Sequence, residues 1–236
     1  MKNMNARLKD LYESHWDHLE HSINTLAHHE KPTHPLLIQF RDEEAYINAD
    51  QRIMIVGKET NDWEGQFGQH SLSKLQETYM QFLHNQTTRA KQTLFWRYTN
   101  ELITQLSGPD HLNTAVVWNN IYKLGLAGGR GEPSNKIKKI NFETFNVFEE
   151  ELKIIQPDMI IFLTGPVYDE ALRTYLPGIE FVQVEDVDKR KLAQCIHPSL
   201  PHHTYRTYHP QYLNYLTPGK SEFHRNTPIE VIADLI

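Results

Sequence analysis

The residues best suited to chemistry stand where apolar runs stop. Ile53-Met54-Ile55-Val56 ends abruptly at Gly57, and Lys58, Glu59, Thr60, Asn61, Asp62 and Trp63 follow. Four apolar residues are too few for a helix and read as a buried strand. Gly57 lets the backbone turn or approach a ligand closely. Ligands of open α/β sheets sit outside the carboxyl ends of the strands, so Glu59, two residues past the glycine, is a candidate acid–base group. Two other apolar segments end the same way, Thr114 to Trp118 at Asn119-Asn120 and Tyr205 to Tyr208 at His209-Pro210. Each group also has a plain structural reading: a solvated acid, a turn-forming amide and a His-Pro turn.

Those strand ends need a frame. Of 236 residues, 39% are hydrophobic. That suits a single α/β domain over 1–236, with residues 1–40 as an N-terminal helical arm. Leu8, Leu11, Trp16, Leu19, Ile23 and Leu26 predict a helix over about 5–28. Strands are predicted over Arg52–Val56, Thr114–Trp118, Met159–Leu163, Glu180–Val184, Leu192–Ile196 and Tyr205–Tyr208. Helices are predicted from a capping box at Ser73 to Leu83, over Gln92–Leu106, from a cap at Asn141 to Ile155, and over Pro166–Leu176. A last helix starts at Thr227-Pro228. The alternation predicts a three-layer α/β/α sandwich around a mostly parallel sheet.

Composition narrows the function. Twenty-four basic against 30 acidic residues give a net charge of −6, so a nucleic-acid partner needs a local basic patch. The Gly-rich stretch from Leu126 to Lys139 supplies one, with Arg130, Lys136, Lys138 and Lys139. The lone Cys195 excludes an intrachain disulfide and argues against a cysteine-held metal or iron–sulfur cluster. Fourteen histidines contain no H-E-x-x-H pattern. No apolar leader and no run long enough to span a bilayer is read, which predicts a soluble, cytoplasmic protein. Walker A, Gly-x-Ser-x-Gly and Gly-x-Gly-x-x-Gly signatures are absent, which argues against an unrelated hydrolase or nucleotide-metabolising enzyme.

In this order, Ile55-Val56-Gly57-Lys58-Glu59-Thr60, Val116-Val117-Trp118-Asn119-Asn120-Ile121-Tyr122-Lys123, Pro157 to Gly165 and Tyr205 to Leu213 resemble motifs of the uracil-DNA glycosylase superfamily. The resemblance covers about residues 50–236. It implies a DNA glycosylase that flips a nucleotide out of the stack, hydrolyses its N-glycosidic bond without a cofactor and leaves an abasic site. Glu59 would orient water and stabilise the cationic sugar, with Asn61 or Asp62 as rivals. His209 would donate to the departing base, with the His197-Pro198-Ser199 string as its rival. Asn120 would read the base edge, with Asn119 as the neighbour able to take that role. Gly57, Lys58 and Tyr212 would line the pocket, and Phe67 would stack on the base.

Lys123, Arg130, Lys136, Lys138, Lys139 and Arg206 would hold phosphates. Tyr208, Tyr212 and Leu213 are candidates for the wedge that fills the vacated stack. No lysine is placed for a Schiff-base step, so the expected enzyme is a monofunctional, monomeric hydrolase. Glu59 is one methylene longer than the family's usual Asp or Asn, and Thr60 replaces a common proline. These departures shift the expected substrate toward unusual bases, including modified pyrimidines of foreign (phage) DNA. They also keep open a catalytically inactive DNA- or protein-binding module on the same fold.

Overall fold

The structure, a computed structural model, describes residues 3–84, 93–108, 112–129, 131–212 and 228–235. The first part of the chain forms α1 (Met4–Asn24), α2 (Glu43–Ile47), β1 (Gln51–Asn61), α3 (Leu72–His84), α4 (Leu94–Leu106) and β2 (Thr114–Leu126). Then come α5 (Asn135–Thr144), α6 (Phe148–Ile155), β3 (Met159–Phe162), a 3-10 turn (Pro166–Tyr168) and α7 (Asp169–Tyr175). The chain closes with β4 (Glu180–Gln183), β5 (Leu192–Ile196), β6 (His203–Thr207) and α8 (Pro228–Asp234).

The six strands form one sheet in the order β2-β1-β3-β6-β5-β4. β2, β1, β3 and β6 run parallel, and β5 and β4 add an antiparallel edge. Both faces are apolar because successive side chains alternate. Ile53, Ile55, Met159 and Ile161 join Tyr98 and Leu102 of α4 and Ile232 of α8 in one cluster. Met54, Val56, Ile160 and Phe162 join Leu8 and Tyr12 of α1, Ile137 of α5 and Leu152 of α6 in the other. Helices thus cover a mostly parallel sheet, an arrangement compatible with three α/β/α layers.

β1 and β2 outrun the sequence expectation. Each was expected to end at its last apolar residue. Instead they stay paired from Gln51↔Thr114 through Gly57↔Asn120 and Glu59↔Tyr122 to Asn61↔Leu126, while β3 stops opposite Val56. Lys58, Glu59 and Asn120 therefore lie within a two-stranded ribbon beyond the sheet. Gly125 permits its close approach, since a Cβ there would stand 1.7 Å from the Thr60 carbonyl oxygen.

The free edge of β2 is covered. Tyr79 Oη donates to the Trp118 carbonyl at 2.7 Å and accepts from the Trp118 amide at 3.0 Å. The amides of Leu36 and Thr33 donate to the carbonyls of Lys123 and Gly125, both at 3.1 Å. An exposed edge would otherwise invite pairing with another chain.

Two helix boundaries also differ. The helix expected from Asn141 to Ile155 is two helices, the first capped by Ser134. Asn141 lies inside α5, where its Oδ1 accepts from the Leu124 amide at 2.9 Å and Nδ2 donates to the Leu124 carbonyl at 3.3 Å. Lys136, Lys138 and Lys139 consequently sit on a helix rather than a loop. The expected cap at Ser73 shifts to Ser71, whose Oγ accepts from the Lys74 amide at 3.3 Å. Thr227, expected to cap the last helix, lies outside the described residues.

Under β2 lies a buried ionic network. Glu151 of α6, 0% exposed, accepts from Lys123 Nζ at 2.6 Å, Tyr12 Oη at 2.7 Å and Asn119 Nδ2 at 2.9 Å. Lys123 Nζ also donates to Asn119 Oδ1 at 2.5 Å. A buried charge is tolerated only when paired and hydrogen-bonded. Replacing Glu151 by Ala strands an ammonium, a phenol and an amide together. Glu151→Ala is expected to lose about 3–5 kcal/mol of unfolding free energy. Urea denaturation reads it, and a loss below about 1 kcal/mol contradicts the assignment.

Candidate functional site

The parallel strands discharge their carboxyl ends at one edge of the sheet, and polar groups gather there. At the ribbon's root Gly57 faces Asn120. A Cβ on residue 57 would meet Asn120 Oδ1 at 2.4 Å and the Phe95 ring at 3.5 Å. The glycine thus makes room for the amide beside an aromatic face. Asn120 is only 2% exposed, yet its Nδ2 has no acceptor among the described residues. An unpaired buried donor costs about 1–3 kcal/mol, so such a group calls for a ligand or water acceptor. Its backbone amide donates to Asn119 Oδ1 at 2.8 Å, which fixes the amide from behind.

His209 follows β6 and stacks on Phe95, with ring centroids 5.7 Å apart and planes at 27°. Burial, reinforced by the charge of Lys58, pushes its imidazole down to about 4 from the usual 6.5. The ring is therefore neutral at physiological pH. Its Nδ1 accepts from the Gln211 amide at 3.2 Å. The single ring proton then resides on Nε2, which makes that atom a donor.

Glu59 takes a hydrogen bond on Oε2 from the hydroxyl of Tyr168, at the end of the 3-10 turn that follows β3. Burial raises the Glu59 carboxyl above its usual range, while the Tyr168 hydrogen bond and Lys58 oppose the rise. Lys58 Nζ lies 5.4 Å from the centroid of the same Tyr168 ring. Tyr122, paired with Glu59 across the ribbon, packs against Tyr168 at 6.0 Å, and Lys138 lies 5.9 Å from the Tyr122 ring. Lys138 also forms an ion pair with Glu132.

The floor beside Asn120 is aromatic. Trp118 meets Trp96 at 5.3 Å, Phe82 at 5.4 Å and Trp63 at 5.6 Å. Trp63 Nε1 and Trp118 Nε1 are buried without an acceptor among the described residues.

Glu59, Asn120, His209, Gly57 and Lys58 are thus brought to one edge. The choice between the two His-Pro strings is a matter of direction. His197 follows an antiparallel strand, so it lies at the other end of the sheet, with Nε2 3.2 Å from the Pro177 carbonyl oxygen. Asn61 is exposed at the ribbon's tip. Tyr212 is exposed one turn past His209, and its ring lies 4.5 Å from that of Tyr208. Lys136 and Lys139 are exposed on α5. Arg130 and Leu213 lie outside the described residues.

Three expected ligands turn out to be internal. Lys123, read as a phosphate contact, is 3% exposed and bound to Glu151. Arg206, read likewise, is 1% exposed. Its Nε lies 3.0 Å from Asp169 Oδ1, and its Nη1 and Nη2 donate to the carbonyls of Arg190 and Lys189. Asn119 turns to the opposite face from Asn120 and joins the Glu151 network.

Phe67, expected to stack on a base, packs on Trp16 at 5.5 Å and His34 at 5.7 Å. His34 explains this placement. Its Nε2 accepts from the amides of Gln69 and His70, both at 3.1 Å, and its Nδ1 donates to the Glu64 carbonyl at 2.9 Å. The loop is thereby tied to the N-terminal arm.

Phe95, Tyr122 and Tyr168 were not singled out from sequence. Tyr168 carried a readable signal, because it follows a predicted strand end. Phe95 carried none, since a helix-borne aromatic ordinarily reads as core. Compared with models of known protein families and with curated protein sequences, the chain matches none.

The depressed His209 value generates a direct expectation. An unfolded imidazole binds its proton near 6.5 and this one near 4. Between those values the unfolded state binds more protons, so this group's contribution to stability is full above the window and is lost as pH falls through it. NMR titration should find His209 neutral at pH 6. Lys58→Met should raise its pKa toward the ordinary value. A midpoint near 6.5 in the parent chain contradicts the burial argument.

Proposed function

We propose that this protein is a DNA glycosylase of the uracil-DNA glycosylase type, which hydrolyses the N-glycosidic bond of a flipped, deaminated or modified pyrimidine. The observation that carries the proposal is the gathering of Glu59, Asn120 and His209 at the carboxyl-end edge of the parallel strands β1, β2 and β6, with Asn120 Nδ2 buried and without an acceptor among the described residues. Departure of a base builds positive charge on the sugar and negative charge on the base. Glu59 holds the water and faces the cationic sugar. The water oxygen bonds to C1′ as the C1′–N bond breaks, and Glu59 receives the water's proton. His209, neutral with a proton on Nε2, donates a hydrogen bond to the base oxygen where charge grows. Asn120 supplies a donor to the base edge. Phe95 replaces Phe67 as the aromatic surface offered to the base, and Tyr168 keeps Glu59 in place.

One observation favours a second reading, a DNA- or protein-binding module without catalysis. With Lys123 and Arg206 internal and Lys138 paired to Glu132, few described cations near the site are free for phosphate.

Labelled single- and double-stranded oligonucleotides separate the two readings. They would carry uracil, hypoxanthine, hydroxymethyluracil, hydroxymethylcytosine or glucosylated hydroxymethylcytosine, with abasic sites revealed by hot alkali. Release of one base is expected. Glu59→Gln should slow it by about 10²–10⁴-fold, and His209→Ala by about 10²–10³-fold. Salt-sensitive binding with no release from any substrate favours the binding module.

A further inference from the structure

Lys58 takes no direct part in the proposed base release, where its charge acts only on its neighbours Glu59 and His209. Its Nζ lies over the Tyr168 ring and within 4 Å of no carboxylate among the described residues. Other half-buried or buried cations of the fold behave differently: Lys123 holds Glu151, Lys138 holds Glu132 and Arg206 holds Asp169. The carboxylate nearest Lys58 in sequence, Glu59, is engaged by the Tyr168 hydroxyl instead. One tyrosine thus holds both neighbours, the acid by its hydroxyl and the amine by its ring. A primary amine beside an acid–base carboxylate, at a site that takes a sugar, is the equipment for carbonyl chemistry.

We propose that Lys58 is the nucleophile of a second activity, an abasic-site lyase that cleaves the DNA strand by β-elimination. The inference rests on the reading of this edge as a DNA-lesion site. The abasic sugar opens to its aldehyde. Lys58 Nζ adds to C1′ and water leaves, which gives a protonated Schiff base. Glu59 takes a proton from C2′, and the released electron pair forms the C2′–C3′ double bond as the C3′–O bond breaks. The departing oxygen remains on the downstream strand as a 5′-phosphate. Hydrolysis of the imine returns the amine and frees an unsaturated aldehyde on the upstream strand. The sequence of steps needs no oxidant or reductant. Tyr168 is a positioning residue here, since it touches Glu59 and Lys58 rather than the sugar.

The test uses the full chain and oligonucleotides in which the abasic site is made beforehand. Sodium cyanoborohydride reduces a Schiff base to a stable secondary amine, so a covalent protein–DNA adduct is expected, with the modified peptide carrying Lys58. Lys58→Arg keeps the charge and should lose the adduct, while its thermal transition reports whether the variant folds. Mapping the adduct in the unaltered chain decides the matter even where the variant does not fold. No adduct, an adduct on another amine, or an undiminished adduct in a folded Lys58→Arg overturns the proposal. Base release from intact substrate is measured in parallel. Release without adduct overturns the lyase alone, and adduct without release overturns only the glycosylase reading.

Discussion

Glu151 has no contact with solvent, and much of the molecule is arranged so that it need not have any. Its carboxylate collects donors from α1, from two positions of β2 and, through Asn119, a link to the backbone of Asn120. The N-terminal arm, the edge strand and α6 are thereby joined by one buried charge. An apolar contact would tolerate a slip of the arm along the sheet. A buried carboxylate with three named donors does not, because any lost partner leaves an unpaired polar group in a dry interior. The same network fixes the strand position from which Asn120 faces the opposite side.

The second constraint is the ribbon. β1 and β2 remain paired after β3 has ended, which carries Lys58, Glu59, Asn120 and Tyr122 out together on one stiff stem. Gly57 and Gly125 permit it, the first by yielding space to the Asn120 amide and the second by letting Thr60 approach. Groups on such a stem are held more tightly than groups on a loop, as catalytic geometry requires. The 3-10 turn after β3 brings Tyr168 to the stem, and the end of β6 brings His209. The proposed chemistry is therefore a property of four adjacent strand ends rather than of a single motif.

Much of this was legible in the sequence, for physical reasons. Buried parallel strands must be apolar on both faces, so Ile53–Val56, Val116–Trp118 and Met159–Phe162 declared themselves, and the polar residues that follow them marked the candidate edge. What stayed hidden depended on partners distant in sequence. Nothing local to Lys123 or Arg206 says that a carboxylate waits inside the fold, because Glu151 and Asp169 are reached only through tertiary packing. Phe67 sits in a glycine-flanked loop that suits a base platform, but His34 draws that loop toward α1. The direction of β5 places His197 at the opposite end of the sheet from His209, and strand direction is not written in a five-residue segment. The ribbon was missed because polar residues were read as the end of pairing, whereas backbone hydrogen bonds do not require apolar side chains.

The central claim is that this edge releases a base from DNA. Its most direct test makes no assumption about which base. Natural DNAs, including phage DNAs rich in modified pyrimidines, would be incubated with the protein and with Glu59→Gln, and the free bases identified by mass spectrometry. The account predicts that one free base accumulates with the parent chain and not with the variant. No free base from any DNA, or equal amounts from both proteins, would contradict it.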